Sequence, residues 1–160
     1  MPVAISNLQR RSRVFPGRLR AVARRALAAL GRADREVHVT VVDDRRIRAL
    51  NARYLGTRRA TDVLAFDLAG PGPGRLWGEV IVSAETAARQ ARRLRVPLAV
   101  ELDLLVVHGL LHLAGYDDHD PRRARRPRGR ASPGSGTCRP PRSYSWTRRV
   151  CIRARAVSGS

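Results

Sequence analysis

Two kinds of hydrophobic pattern alternate along residues 1–114 and predict strands intermingled with helices. Strand-like runs cover residues 3–5, 37–42, 62–66 and 77–82, and apolar residues recur at helical spacing over 19–30, 47–54, 84–94 and 98–114. The glycine- and proline-rich residues 70–74 can continue neither pattern and are expected to form a loop. The alternation predicts an α+β fold in which a small mixed β-sheet is packed with helices.

Polar residues and glycines at the ends of these runs predict where the helices begin and end. Asp43 and Asp44 follow the second strand-like run, and Ser83 follows the fourth, at positions suited to N-capping the next helix. Gly56 and Gly115 are placed to end the helices that precede them.

The pattern at Leu98–Ala114 predicts a helix that is apolar almost all round and therefore central and buried. His108 and His112 are four residues apart, so they share one face of this helix. Beyond Gly115, residues 117–120 offer a third histidine and three carboxylates. Two imidazoles and one loop ligand suit a catalytic zinc ion, which keeps a fourth position for water. The alternative is a pair of hydrogen-bonded core histidines, and we favour the metal site.

Two further features restrict the kind of metal site. Gly109 stands where a zinc peptidase of the HExxH type carries its glutamate general base, which argues against peptidase chemistry. The two cysteines, Cys138 and Cys151, both lie in the last quarter of the chain, so they predict neither a disulfide framework nor a four-cysteine site. Any metal must be held by histidines and carboxylates.

Length and composition are those of one soluble domain. The chain has 160 residues, of which 43% are hydrophobic and 28% charged. No apolar run approaches the ~18–20 residues of a membrane span, and the arginine-rich first thirty residues show no secretory pattern. We therefore expect a cytoplasmic protein with no membrane partner.

The net charge of +19 is concentrated at one end. Residues 1–120 hold all 13 acidic residues and 20 arginines, whereas residues 121–160 hold 12 arginines and no acid. The second segment also has five prolines and no hydrophobic period. We expect residues 1–120 to form one domain, which carries the metal-binding histidines, and residues 121–160 to be disordered or read out of frame.

Several motifs together resemble the YbeY family, the zinc-dependent endoribonucleases of bacterial ribosomal RNA maturation. The resemblance covers about residues 36–120, and its most specific block is His108–Asp117, which reads HGLLHLAGYD. The other matching segments are Val39–Asp44, Leu50-Asn51, Tyr54, Thr61–Phe66 and Gly78–Ser83. The resemblance implies one zinc ion per chain, a single-stranded RNA substrate, and work with the small ribosomal subunit on the 3′ end of 16S ribosomal RNA and in ribosome quality control.

The chain departs from the family pattern at the residues nearest the chemistry. Leu55 stands where family members often have an arginine implicated in activity, and Arg58, Arg59 and Asp62 are the remaining candidates for a catalytic role. The alternative for the two arginines is a solvated surface position, and for Asp62 it is the capping of a strand.

The third metal ligand is open between two neighbouring residues. Asp118 keeps the six-residue separation from His112 that the resemblance implies, whereas His119 lies one residue beyond it. Zinc accepts both side chains, and we favour Asp118.

Two other functions compete with the endoribonuclease. One is a non-catalytic ribosome assembly factor that binds RNA and uses zinc only to hold its fold, and the other is a metallohydrolase of another substrate class. Trp77, beside the glycine-rich loop, is either a base-stacking residue or, more simply, a packing residue.

Overall fold

The computed structural model describes residues 3–56, 61–69, 76–116 and 153–155. The elements in chain order are β1 (Val3–Asn7), α1 (Pro16–Ala29), β2 (Glu36–Val42), α2 (Asp44–Leu55), β3 (Val63–Asp67), β4 (Leu76–Ser83), α3 (Ala84–Leu94), α4 (Leu98–Leu113) and β5 (Arg153–Arg155). The first eight elements confirm the strands and helices predicted from the hydrophobic pattern, with boundaries that move by up to three residues.

The strands form one mixed sheet in the order β1-β2-β4-β3-β5. Strands β1, β2 and β4 are parallel, β3 runs antiparallel to β4, and β5 pairs in parallel with β3. A mixed sheet covered by helices confirms the predicted α+β class. Among the described residues, no single helix is long and apolar enough to cross a bilayer; only α3 and α4 taken together reach that length and composition, and they meet at 116°.

Alternate residues of β3 and β4 supply two separate hydrophobic cores, because successive side chains of a strand point to opposite faces. The larger core lies between one face of the sheet and helices α1, α3 and α4, and it includes Val63 and Val80. The smaller core lies under α2 on the other face, where Ile47 packs with Phe66 and Ile81. The two cores fix α4 and α2 on opposite sides of β3 and β4.

Helix α4 is the central buried helix that its apolar pattern predicts. Its inward side chains are at most 4% exposed: Leu102, Leu105, Val106, Leu110 and Leu113. Two glycines let it approach the sheet closely. A Cβ atom at Gly109 would lie 2.5 Å from Val80 Cγ1, and a Cβ at Gly78 of β4 would lie 2.8 Å from Leu113 Cδ2.

The tail beyond Tyr116 contributes only β5 to the described residues. Residues 117–152 and 156–160 lie outside them. The expectation that 121–160 is disordered or out of frame therefore stays a prediction.

Asp43 and Asp44, at the start of α2, have different roles. Asp43 caps the helix as predicted, since its Oδ1 accepts a hydrogen bond from the backbone N–H of Arg46 at 2.8 Å. The prediction that Asp44 is a second cap is wrong. Asp44 is 6% exposed, and its carboxylate instead accepts hydrogen bonds from the side chains of Ser83 and Thr86 at the start of α3.

Helices α2 and α3 thereby exchange carboxylates at their N-termini. Asp44 of α2 lies at the first turn of α3, while Glu85 of α3 accepts a hydrogen bond from the backbone N–H of Asp44 at 3.3 Å. Arg89 forms a salt bridge with Asp44 at 2.8 Å, and Arg11 forms one with Glu85 at 3.0 Å. Each helix N-terminus, where the positive end of the helix dipole lies, thus receives a negative charge from the other helix.

These contacts set the charge state of Asp44. Burial alone would raise the pKa of Asp44, but hydrogen bonds from Ser83, Thr86 and Arg89 outweigh it and hold the pKa below its ordinary value. Because the folded-state pKa is lowered, the stabilisation is present above the unfolded pKa and is lost as pH falls through the folded pKa.

We predict that Asp44→Asn destabilises the protein at pH 7 by about 1–3 kcal/mol, since three donors lose a charged acceptor. The difference between wild type and variant should shrink as pH falls below ~4, the ordinary carboxyl pKa, because Asp44 is then protonated in the unfolded chain before it is protonated in the folded protein. Urea unfolding at pH 7 and at pH 3 measures the difference in the free energy of unfolding at each pH. Asp34→Asn is the control, because the Asp34 side chain is 80% exposed and its pair with Arg35 is 4.0 Å long. A loss at Asp44 that is equal at both pH values would contradict the prediction.

Candidate metal centre

One of the two histidines of α4 is next to a glycine that packs directly against the sheet. Gly109 packs against Val80 of β4 and Val63 of β3, so His108 is fixed next to a rigid contact. The side chains of His108 and His112 are half-buried, whereas Val106, Leu110 and Leu113 of the same helix are buried. The pair therefore lies at the border between core and solvent, where a substrate can reach it.

The two imidazoles converge on one point. His108 Nε2 and His112 Nε2 are 3.0 Å apart, and the ring planes are inclined by 80°. Two nitrogens bound to a tetrahedral zinc ion at 2.0–2.1 Å lie about 3.3 Å apart. The observed separation is thus close to what zinc requires, and both residues fit as ligands through Nε2. The same distance also suits an N–H···N hydrogen bond, which is the alternative stated from the sequence.

The pair points away from α1. Nine residues separate Asp103 from His112, which is a rotation of about 900°, or half a turn beyond two full turns. Arg18 of α1 binds Asp103 with a nitrogen–oxygen distance of 2.7 Å, so α1 lies on the Asp103 side of α4. The histidines accordingly face the side of α4 that α1 leaves uncovered.

Helix α4 ends at Leu113, directly after the second histidine. Gly115 has φ +88, a left-handed conformation that favours glycine, and the N–H of Tyr116 donates to the carbonyl of Leu111 at 3.1 Å. The chain therefore turns directly after the histidine pair. Asp118 and His119 lie outside the described residues, and within the described ranges no three histidine, cysteine or acidic side chains gather into a metal site. The choice between the two ligands stays a prediction.

Comparison with known proteins identifies the family. A profile described as Endoribonuclease YbeY matches residues 4–131. The chain belongs to the YbeY family. Among its relatives described as Endoribonuclease YbeY, one from Anaeromyxobacter sp. strain Fw109-5 is 51% identical over 127 residues, covering 79% of this chain and 66% of the relative. One from Geobacter metallireducens is 45% identical over 121 residues, covering 73% of this chain and 81% of the relative.

The fold agrees with this assignment. The chain is similar to the solution structure of a Thermotoga maritima protein, with a TM-score of 0.53, 30% identity, and coverage of 72% of this chain and 73% of that one. The match spans 66% of the length of the Anaeromyxobacter sp. relative and 56% of a relative from Anaeromyxobacter dehalogenans that is 50% identical, which is less than two thirds of each.

In this family member Asp62 joins two elements. Asp62 is 5% exposed, and its carboxylate accepts hydrogen bonds from Gln90 Nε2 of α3 and from the backbone N–H of Val63, both at 3.0 Å. These contacts tie the start of β3 to α3, as the strand-capping alternative expects. A catalytic role for Asp62 stays a prediction, and so do the roles of Arg58 and Arg59, which lie outside the described residues.

The structure also shows where Trp77 and Gln90 lie. Trp77 is 6% exposed in the larger core, so it packs and has no free face for a base. Gln90, which was not singled out, holds Asp62 from α3. The sequence does not indicate this hydrogen bond, because a polar residue on a helix with a face of small residues is usually solvated.

We predict that Gly109→Ala destabilises the protein by about 1–3 kcal/mol, since the new Cβ would meet Val80 Cγ1 at 2.5 Å inside a packed core. It should also weaken zinc binding, because α4 must move. Gly17→Ala in α1 is the matched control, with nothing within 4 Å of its Cβ position. Urea unfolding and zinc titration measure both effects. Equal stability of the two variants would show that the close approach at Gly109 is unimportant.

Proposed function

We propose that this chain is a zinc-dependent endoribonuclease specific for single-stranded RNA. Its proposed role is ribosomal RNA maturation at the 3′ end of 16S ribosomal RNA and ribosome quality control, in the cytoplasm and with the small ribosomal subunit as partner. Family membership supports the ribonuclease chemistry. The observation that supports the metal dependence is the convergence of His108 Nε2 and His112 Nε2 to 3.0 Å on a half-buried side of α4.

The proposed metal would be held by His108, His112 and one of Asp118 and His119. Zinc bound there would polarise the scissile phosphate and lower the pKa of a bound water toward ~7. The helix supports this role because its buried face anchors both imidazoles in fixed positions. Preorganised ligands lose little conformational entropy on binding and hold the reacting groups in one geometry.

The charge of the folded part favours a polyanionic substrate. Residues 1–120 contain 20 arginines and 13 acidic residues, so this part is net positive. Arginine binds phosphate oxygens through two parallel hydrogen bonds, and such contacts position a nucleic acid backbone without reading its sequence. We assign this positioning role to Arg58 and Arg59. Asp62 then acts indirectly, by fixing the start of β3 that follows them.

We predict that the double variant His108→Ala, His112→Ala loses its zinc, from about one ion per chain to none, while keeping a largely folded structure. Cleavage of a single-stranded oligoribonucleotide should fall by more than ~100-fold, beyond the 10–100-fold typical of losing an outer-shell contact. Elemental analysis, circular dichroism and gel-resolved cleavage check these outcomes. His38→Ala is the control, since His38 is exposed on β2.

Two results would overturn the proposal in different ways. Undiminished zinc in the double variant would remove the metal site. Zinc bound by the wild type without any RNA cleavage would favour the non-catalytic assembly factor instead.

We predict that Asp118→Ala weakens zinc binding more than His119→Ala does, because Asp118 keeps the six-residue separation from His112. Successive loop residues point in different directions, so only one of the two should bind the ion directly. Zinc affinity measured for each single variant decides the assignment. A large loss at His119 with little change at Asp118 would reverse it.

A further inference from the structure

Tyr54 is an exposed aromatic residue that the proposed chemistry does not use. It lies in the last turn of α2, and its side chain is 52% exposed. We propose that the Tyr54 ring stacks against an unpaired base of the RNA substrate. This inference rests on the proposed function, which it extends from phosphate positioning to contact with the bases.

Packing holds the Tyr54 ring in place from one side. The ring meets Phe66 of β3 edge to face, with centroids 5.3 Å apart and planes inclined by 67°. Phe66 is 9% exposed and belongs to the smaller core with Leu64 and Ile81. An aromatic ring that is anchored on a core yet half open to solvent loses little entropy when a flat ligand stacks on it.

A cation accompanies the ring. The guanidinium of Arg53 lies 5.5 Å from the Tyr54 ring centroid. Sites for single-stranded nucleic acid combine aromatic rings, on which bases stack, with basic side chains that attract the backbone and add cation–π attraction. Tyr54 and Arg53 supply both parts at adjacent positions of one helix end.

Tyr54 contacts Phe66 on one face of the sheet, and α4 packs against the other face near the same strand. The carbonyl oxygen of Phe66 and the side chain of Leu113 both lie within 3 Å of the Cβ position of Gly78. Leu113 directly follows His112 in α4. Tyr54 and the histidine pair therefore lie on opposite faces of the same part of the sheet, so an RNA bound at both must be long enough to pass from one face to the other.

The other exposed aromatic rings fit this role less well. Phe15 has an arginine 5.1 Å from its ring centroid, but it precedes α1, on the side of α4 that faces away from the histidines. Tyr116 is 50% exposed, and no aromatic contact among the described residues anchors its ring. Phe15 with Arg13 is thus a matched control for Tyr54 with Arg53.

Stacking on Tyr54 would favour single-stranded over double-stranded RNA. Bases in a helix are already stacked on their neighbours, whereas unpaired bases can turn toward a protein ring. Removing one base–aromatic contact costs roughly 1–3 kcal/mol, which corresponds to roughly 5- to 150-fold in binding.

The first test measures KM and kcat of the zinc-loaded full chain on a single-stranded oligoribonucleotide. Tyr54→Leu keeps an apolar side chain but no ring, and it should raise KM roughly 5- to 150-fold with little change in kcat. Tyr54→Phe should retain the wild-type KM, and Phe15→Leu should leave both constants unchanged. Thermal unfolding of each variant checks that the fold is kept.

The second test separates stacking from a structural role of Tyr54. A set of oligoribonucleotides, each with one abasic nucleotide, should contain one position at which the missing base raises KM for the wild type. For RNA that lacks the base at that position, Tyr54→Leu should cause no further rise in KM. If Tyr54→Leu raises KM equally for intact and abasic RNA at every position, or leaves KM unchanged, the stacking proposal is wrong while the proposed function stands. If the wild type cleaves no RNA, both fail.

Discussion

The close approach of α4 to the sheet is the constraint on which the rest of the structure depends. Gly109 and Gly78 permit it, since a Cβ at either position would overlap its neighbours by more than a core can absorb. The approach buries one side of α4 completely and leaves His108 and His112 at the margin of the core. Their imidazoles are therefore held by backbone and packing instead of by flexible loops, which is what a two-nitrogen metal ligand set needs.

The exchange of carboxylates between α2 and α3 has a similar effect, because it connects helices that pack on opposite faces of the sheet. Asp44 and Glu85 each neutralise the N-terminus of the other helix, and Arg89 and Arg11 complete the charge balance. A carboxylate with three charged or hydroxyl donors is much less costly to bury than an isolated one. The exchange fixes α2 relative to α3, and with it the position of Tyr54 at the far end of α2.

Local patterns were reliable wherever the determining interactions lie within a few residues. The N-caps Asp43 and Ser83, the left-handed glycine Gly56, and the period of each strand depend on neighbours in sequence, so they could be predicted directly. The shared helix face of His108 and His112 follows from the helical rotation alone. The motif around these histidines also pointed to the family, because its residue types stand at fixed spacing and include the glycine that ends the helix.

The sequence by itself thus determined the order and type of the elements, the α+β class and the histidine pair. Tertiary structure decided the roles of residues whose partners lie far along the chain. Asp44 became an inter-helix anchor through contacts with residues about forty positions away, and Trp77 became a core residue. Glu101, on a helix expected to be apolar, is fully buried. No local period distinguishes a carboxylate that caps its own helix from one that reaches another, because the choice depends on how the helices pack in space.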